Sequence, residues 1–123
     1  MIRQAVRQAM RIMGRQFVLG RTMDEALKNA RAMQKKGYTH SYDMLGEAAR
    51  TAADAQRYFS AYQNAIAACG QVSAGRGPIA SPGVSVKLSA LHPRYSRAQR
   101  DRVMGELLPR VASGELIMSF ALT

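Results

Sequence analysis

Apolar residues recur at helical spacing through the first part of the chain. Ile2, Ala5, Val6, Ala9, Met10, Met13 and Phe17 fall on one face of a helix predicted over Ile2 to Leu19, with Gly20 as its end. Thr22-Met23-Asp24-Glu25 then has the form of a capping box, with two acids where the helix dipole favours negative charge. Met23, Ala26, Leu27, Ala30 and Met33 mark the buried side of a second helix. Lys35 and Lys36 fall in its last turn and Gly37 stops it.

The period then changes to two. Over Tyr38 to Leu45, Ser41 and Asp43 share one face and Tyr42 and Met44 the other, which predicts a strand. Gly46 and Glu47 lead towards a third helix, whose N-cap is Thr51 with Asp54 three residues on. Its stripe is Ala55, Tyr58, Phe59, Tyr62, Ala65, Ile66 and Cys69, and Gly70 closes it; the aromatics read as core. Residues 71–83, rich in Gly, Pro and Ser, predict a loop. Alternation returns over 84–90: Val84, Val86 and Leu88 on one side, Ser85, Lys87 and Ser89 on the other. Ser96-Arg97-Ala98-Gln99 opens a last helix, to about Val111, with Val103, Met104, Leu107, Leu108 and Val111 on its apolar side. Pro109 lacks a backbone donor and is expected to kink that helix or limit its length.

The order is helix, helix, strand, helix, strand, helix. From the first strand it is a β-α-β-α run whose crossover is long enough for parallel pairing. The predicted class is α/β: part of a (β/α)8 barrel, with two N-terminal helices before it. The competing arrangement is a helical bundle in which 38–45 and 84–90 are extended linkers.

Two charged residues stand out within the strand patterns. Lys87 and Asp43 each follow a serine by two positions. A charge inside a strand is costly unless it meets an opposite charge or a ligand, and ligands of parallel α/β folds gather at the carboxyl ends of strands. In a closed barrel both residues would face inward, so Asp43 and Lys87 are expected to lie close together. The plainer alternative puts Lys87 on an exposed edge strand, where lysines discourage unwanted pairing. Gly75-Arg76-Gly77 lacks the spacing of a phosphate loop. Cys69 cannot form an internal disulfide and reads as a buried packing residue rather than a nucleophile.

A chain of 123 residues is one domain at most. It has no apolar run long enough to span a bilayer, and its N-terminus lacks the apolar region of a secretory signal. Together with the lone cysteine this predicts a cytoplasmic protein. Net charge is +10, and residues 1–36 hold nine Lys or Arg against two acids, a net +7. Arg3, Arg7, Arg11 and Arg15 form a stripe on the first helix. It reads either as a surface for phosphate or an anionic membrane or as a solvated face leaning on an acidic neighbour. No aromatic residue is interleaved and no DNA-binding motif is present, which disfavours nucleic acid.

The stretches SYDMLGEAARTAADAQRY (41–58) and VSVKLSALHPRYSRAQ (84–99) carry a resemblance. From Ile2 to about Val111 the chain resembles the proline dehydrogenase domain of the bifunctional proline-utilisation flavoenzymes, the PutA family. The resemblance implies a distorted (β/α)8 barrel with non-covalent FAD. That domain oxidises L-proline to 1-pyrroline-5-carboxylate by hydride transfer to the flavin, and the reduced flavin passes electrons to membrane quinone. By the same resemblance Lys87 contacts the proline carboxylate, and Asp43 is an acid beside it that supports the lysine. The implied organisation is a helical segment over 1–37, two βα units over 38–112, and a divergent tail over 113–123. Nothing here matches the family's arginine pair that clamps the carboxylate, and no catalytic, flavin-binding or metal-binding residue is assigned. The tail reads as the mark of a truncated product, from a frameshift near Ser113. The expectation is a chain that neither holds FAD nor oxidises proline by itself, with apolar faces free for self-association.

Overall fold

The computed structural model describes residues 1–112, which divide into two units, Met1–Thr39 and a second beginning at His40. The expected divergent tail lies outside the described residues. In the first unit, α1 spans Ile2–Phe17 and buries none of its residues. It ends before the predicted Leu19, because Val18 turns extended (φ −118°) while its N–H still reaches the Gly14 carbonyl at 2.7 Å. Gly20 has a different task from stopping α1. A Cβ there would lie 2.4 Å from the Ala26 nitrogen, so only glycine lets the connection pass over the next helix.

That helix, α2, spans Met23–Gln34. The Thr22 hydroxyl accepts the Glu25 N–H at 3.2 Å, and the Glu25 carboxylate accepts the Arg21 N–H at 2.9 Å. The return bond of the predicted box therefore reaches one residue ahead of the cap. Ala26, Leu27 and Ala30 are the buried face. Gly37, at φ +89°, takes the chain out of the helix.

The second unit is built on two short parallel strands, β1 at Ser41–Asp43 and β2 at Gly83–Ser85. Ser41 pairs with Gly83, Tyr42 with Val84 and Asp43 with Ser85. This ladder excludes the helical bundle with extended linkers. The class is α/β, mostly helical with a small parallel sheet. Helix α3, Ala52–Ser73, makes the crossover. Its predicted cap is a complete box: Thr51 Oγ1 accepts the Asp54 N–H and Asp54 Oδ2 accepts the Thr51 N–H, both at 3.1 Å. The core joins Phe59, Tyr62 and Ile66 of α3 to Ala90 and Leu91 after β2, and to Val103 and Leu107 of α5, Arg100–Ala112.

Several expectations need correction, and the first strand is one of them: predicted over Tyr38 to Leu45, it spans only Ser41–Asp43. The strand predicted over 84–90 ends at Ser85, and Leu88–Ala90 forms a 3₁₀ turn. Adjacent Ala90 and Leu91 are both buried, and strict alternation would have sent them to opposite faces. Lys87 therefore stands two residues beyond β2 rather than inside it. Gly70 does not close α3. It is buried within the helix, where a glycine costs about 1 kcal/mol against alanine, and the stop comes at Ala74 and Gly75, at φ 48° and 73°. The predicted loop after it contains the short helix α4, Gly77–Ala80. Ser96 makes no side-chain cap, and a 3₁₀ turn at Arg97–Gln99 feeds directly into α5, which continues past Pro109 to Ala112. Among the described residues no helix is long and apolar enough to cross a membrane.

Candidate functional site: the Lys87 ion cluster

At the carboxyl ends of β1 and β2 three charged side chains converge. Asp43 is the last residue of β1, and its Oδ1 lies 3.1 Å from Lys87 Nζ. Glu47 follows the turn at Gly46 (φ +81°), and its Oε1 lies 2.7 Å from the same nitrogen. The Met44 carbonyl accepts a third contact at 3.4 Å. The two carboxylate contacts are ion pairs set by distance, and Glu47 Oε1 is buried without an aligned hydrogen bond, so the ammonium is paired with this acidic wall without spending every one of its three donors on it. The structure thus brings Asp43 and Lys87 together, as the sequence predicts, although Lys87 lies outside the strand.

The environments of the three differ. The Glu47 side chain is 3% exposed, whereas those of Lys87 and Asp43 are 43% and 48% exposed. A carboxylate that deep is stable as an ion only beside a cation. Glu47 first, and Asp43 second, push the Lys87 ammonium above the usual lysine range. With two carboxylates and one ammonium, the cluster carries a net charge of −1.

The backbone of Lys87 is also held. Its N–H donates to the Tyr62 hydroxyl at 3.1 Å. Further along, His92 is buried and ties the segment to α5. Its Nδ1 accepts the Arg94 N–H at 3.1 Å, so the neutral ring carries its proton on Nε2, which donates to Glu106 Oε2 at 2.9 Å. Arg102, at 2.8 Å, and then His92 hold the Glu106 carboxyl below its usual range.

Glu47, Tyr62 and His92 are the residues that the sequence pattern did not single out. Glu47 looks like a surface acid leading into a helix, and Tyr62 like one more core aromatic. The available signal for Glu47 was its place just beyond the carboxyl end of a strand, after a glycine turn.

Other candidates carry less chemistry. Burial pushes the Cys69 thiol up to about 11, which suits a packing residue. Among the described residues no group of three His, Cys, Asp or Glu is placed to hold a metal ion. Gly75 and Gly77 have left-handed backbones, but Arg76 between them turns its guanidinium onto the carbonyls of Val72 and Ser73, at 2.7 and 3.0 Å, and so completes α3. That glycine pair therefore offers no phosphate cradle, and no oxidation step is assigned to the described residues.

Comparison with known proteins gives a consistent picture. A family model described as proline dehydrogenase matches residues 26–115. The bifunctional protein PutA of Escherichia coli (strain K12) is 62% identical over 117 residues, covering 95% of this chain and 9% of that protein. Among solved structures, a variant of Bradyrhizobium japonicum proline utilization A matches with a TM-score of 0.69 and 48% identity, over 96% of this chain and 12% of that one. A PutA structure with proline bound in remote sites matches with a TM-score of 0.68 and 47% identity, over the same shares. The chain therefore spans about a tenth of the length of the relatives it matches.

Proposed function

The chain belongs to the proline dehydrogenase family, and from that premise we propose that it contributes the Lys87 portion of a proline-oxidising site and does not oxidise L-proline by itself. In this reading β1-α3-β2-α5 is the first pair of βα units of a (β/α)8 barrel, and residues 1–37 are a helical segment preceding it. Lys87 receives the carboxylate of L-proline. Asp43 and Glu47 keep the ammonium ionised and point it to one place. The family is flavin-dependent in general; delivery of electrons to membrane quinone and a cytoplasmic setting belong to the same reading.

The observation that carries it is the three-way contact of Lys87 with Glu47 and Asp43 at the carboxyl ends of a parallel pair. Substrates of parallel α/β folds sit at that end. The same contact supports inactivity of the chain alone. A cluster of net charge −1 repels a carboxylate unless further cations are added, and hydride transfer needs a rigidly held substrate.

The test uses the purified chain with FAD, L-proline and an electron-accepting dye. The expected result is no bound flavin band and no proline-dependent dye reduction. Adding, as a separate chain, the remaining barrel strands of a family member is expected to restore both, and Lys87→Met is expected to abolish the dye reduction. Activity of the chain alone, or restored activity that survives Lys87→Met, contradicts the proposal.

A further inference from the structure

We infer that Tyr62 is a positioning residue for the Lys87 site: its buried hydroxyl takes the Lys87 amide in place of a strand partner and so fixes where the ammonium stands. The last ladder pair is Asp43 with Ser85, and the chain then leaves the sheet. Lys87 has extended backbone angles (φ −95°, ψ 114°), but its N–H has passed the end of β1. A side chain supplies the acceptor instead, Tyr62 Oη at 3.1 Å.

Tyr62 is well placed for this. It is 0% exposed and sits in the core with Phe59, Ile66 and Leu91, so its ring has one position. Burial raises the ionisation of its hydroxyl above the usual tyrosine range, so the group stays neutral. It lies within electrostatic reach of Glu47, Lys87 and Asp43 alike. One turn earlier on the same helix, the Tyr58 hydroxyl donates to the Gly46 carbonyl at 3.3 Å, beside Glu47. Helix α3 thus holds the acidic side of the cluster through Tyr58 and the basic side through Tyr62. Removal of the Tyr62 oxygen deletes no charge and little volume, yet frees the Lys87 backbone.

The inference rests on the reading of Lys87 as the site's cation, whereas its test reads the placement of Lys87 and not proline oxidation. Amide hydrogen exchange and the pH titration of the Lys87 ammonium are followed by NMR in the full chain, in Tyr62→Phe and in a packing control, Phe59→Leu. In Tyr62→Phe the Lys87 amide is expected to exchange about tenfold faster than in the parent, the effect of one lost hydrogen bond. The ammonium titration is expected to move down towards ordinary lysine. Phe59→Leu is expected to speed exchange across the core without moving that titration. An unchanged Lys87 amide and titration in Tyr62→Phe, or a change no larger than at other core amides, overturns the inference. Should Tyr62→Phe fail to fold, 3-fluorotyrosine placed at position 62 alone weakens the acceptor while keeping the ring. Faster Lys87 exchange then supports the inference and unchanged exchange overturns it.

Discussion

Glu47 buries a carboxylate with 3% of its side chain exposed, and Lys87 is the cation that it meets. The inequality of exposure decides what each substitution does. Lys87→Met leaves the Glu47 charge in the interior without a partner, which is the costly way to break a buried pair. Glu47→Gln leaves an ammonium that is 43% exposed, still beside Asp43 and open to water. Lys87→Met is therefore expected to lower the urea midpoint more than Glu47→Gln, and the double variant to recover part of the loss. Equal losses would contradict the assigned burial. The pH dependence has a definite sign. Because the Lys87 ammonium is raised in the folded chain, its contribution is complete below the ordinary lysine range and is lost as pH rises through the raised value.

Among the elements, α3 is the one on which the site depends, since it carries Tyr58 and Tyr62 and begins five residues after Glu47. Its start is fixed by the Thr51–Asp54 box, and the Thr51 hydroxyl is the main reason that the Asp54 carboxyl lies below its usual range. Thr51→Ala is expected to cost about 1 kcal/mol in urea unfolding. It should also reduce the stability lost on acidification, because a lowered carboxyl stabilises above its unfolded pKa and ceases to do so as pH falls. A variant with parental stability and parental acid sensitivity would contradict this.

The Thr51 box was legible in the sequence because a cap is settled by four adjacent residues. So were the α/β class and the approach of Asp43 to Lys87, because period-two stretches either side of a long helix leave few topologies. The strand ends were not legible. Burial of both Ala90 and Leu91 bends the chain out of β2, and that demand comes from α3 and α5 rather than from the strand's own pattern. Gly70 misled for the same reason, since its packing overrides its weak helix propensity. Glu47 and Tyr62 were hidden because their partner lies 40 and 25 residues away in sequence.

At the scale of the whole molecule, the chain carries +10, most of it before residue 37. The wall around Lys87 is by contrast a local acidic excess, two carboxylates on one ammonium. The cluster lies at the carboxyl ends of a parallel pair in a chain of the proline dehydrogenase family, and under the proposed function it contributes the lysine of a proline-oxidising site. What the account requires first is that Lys87 be held between Glu47 and Asp43 in solution. Nitrogen-15 NMR of the Lys87 ammonium against pH, in the full chain and in Glu47→Gln and Asp43→Asn, measures this. The expected result is titration above ordinary lysine, lowered by both substitutions and more by Glu47→Gln, whereas titration at the ordinary lysine value, unmoved by either, would contradict the account.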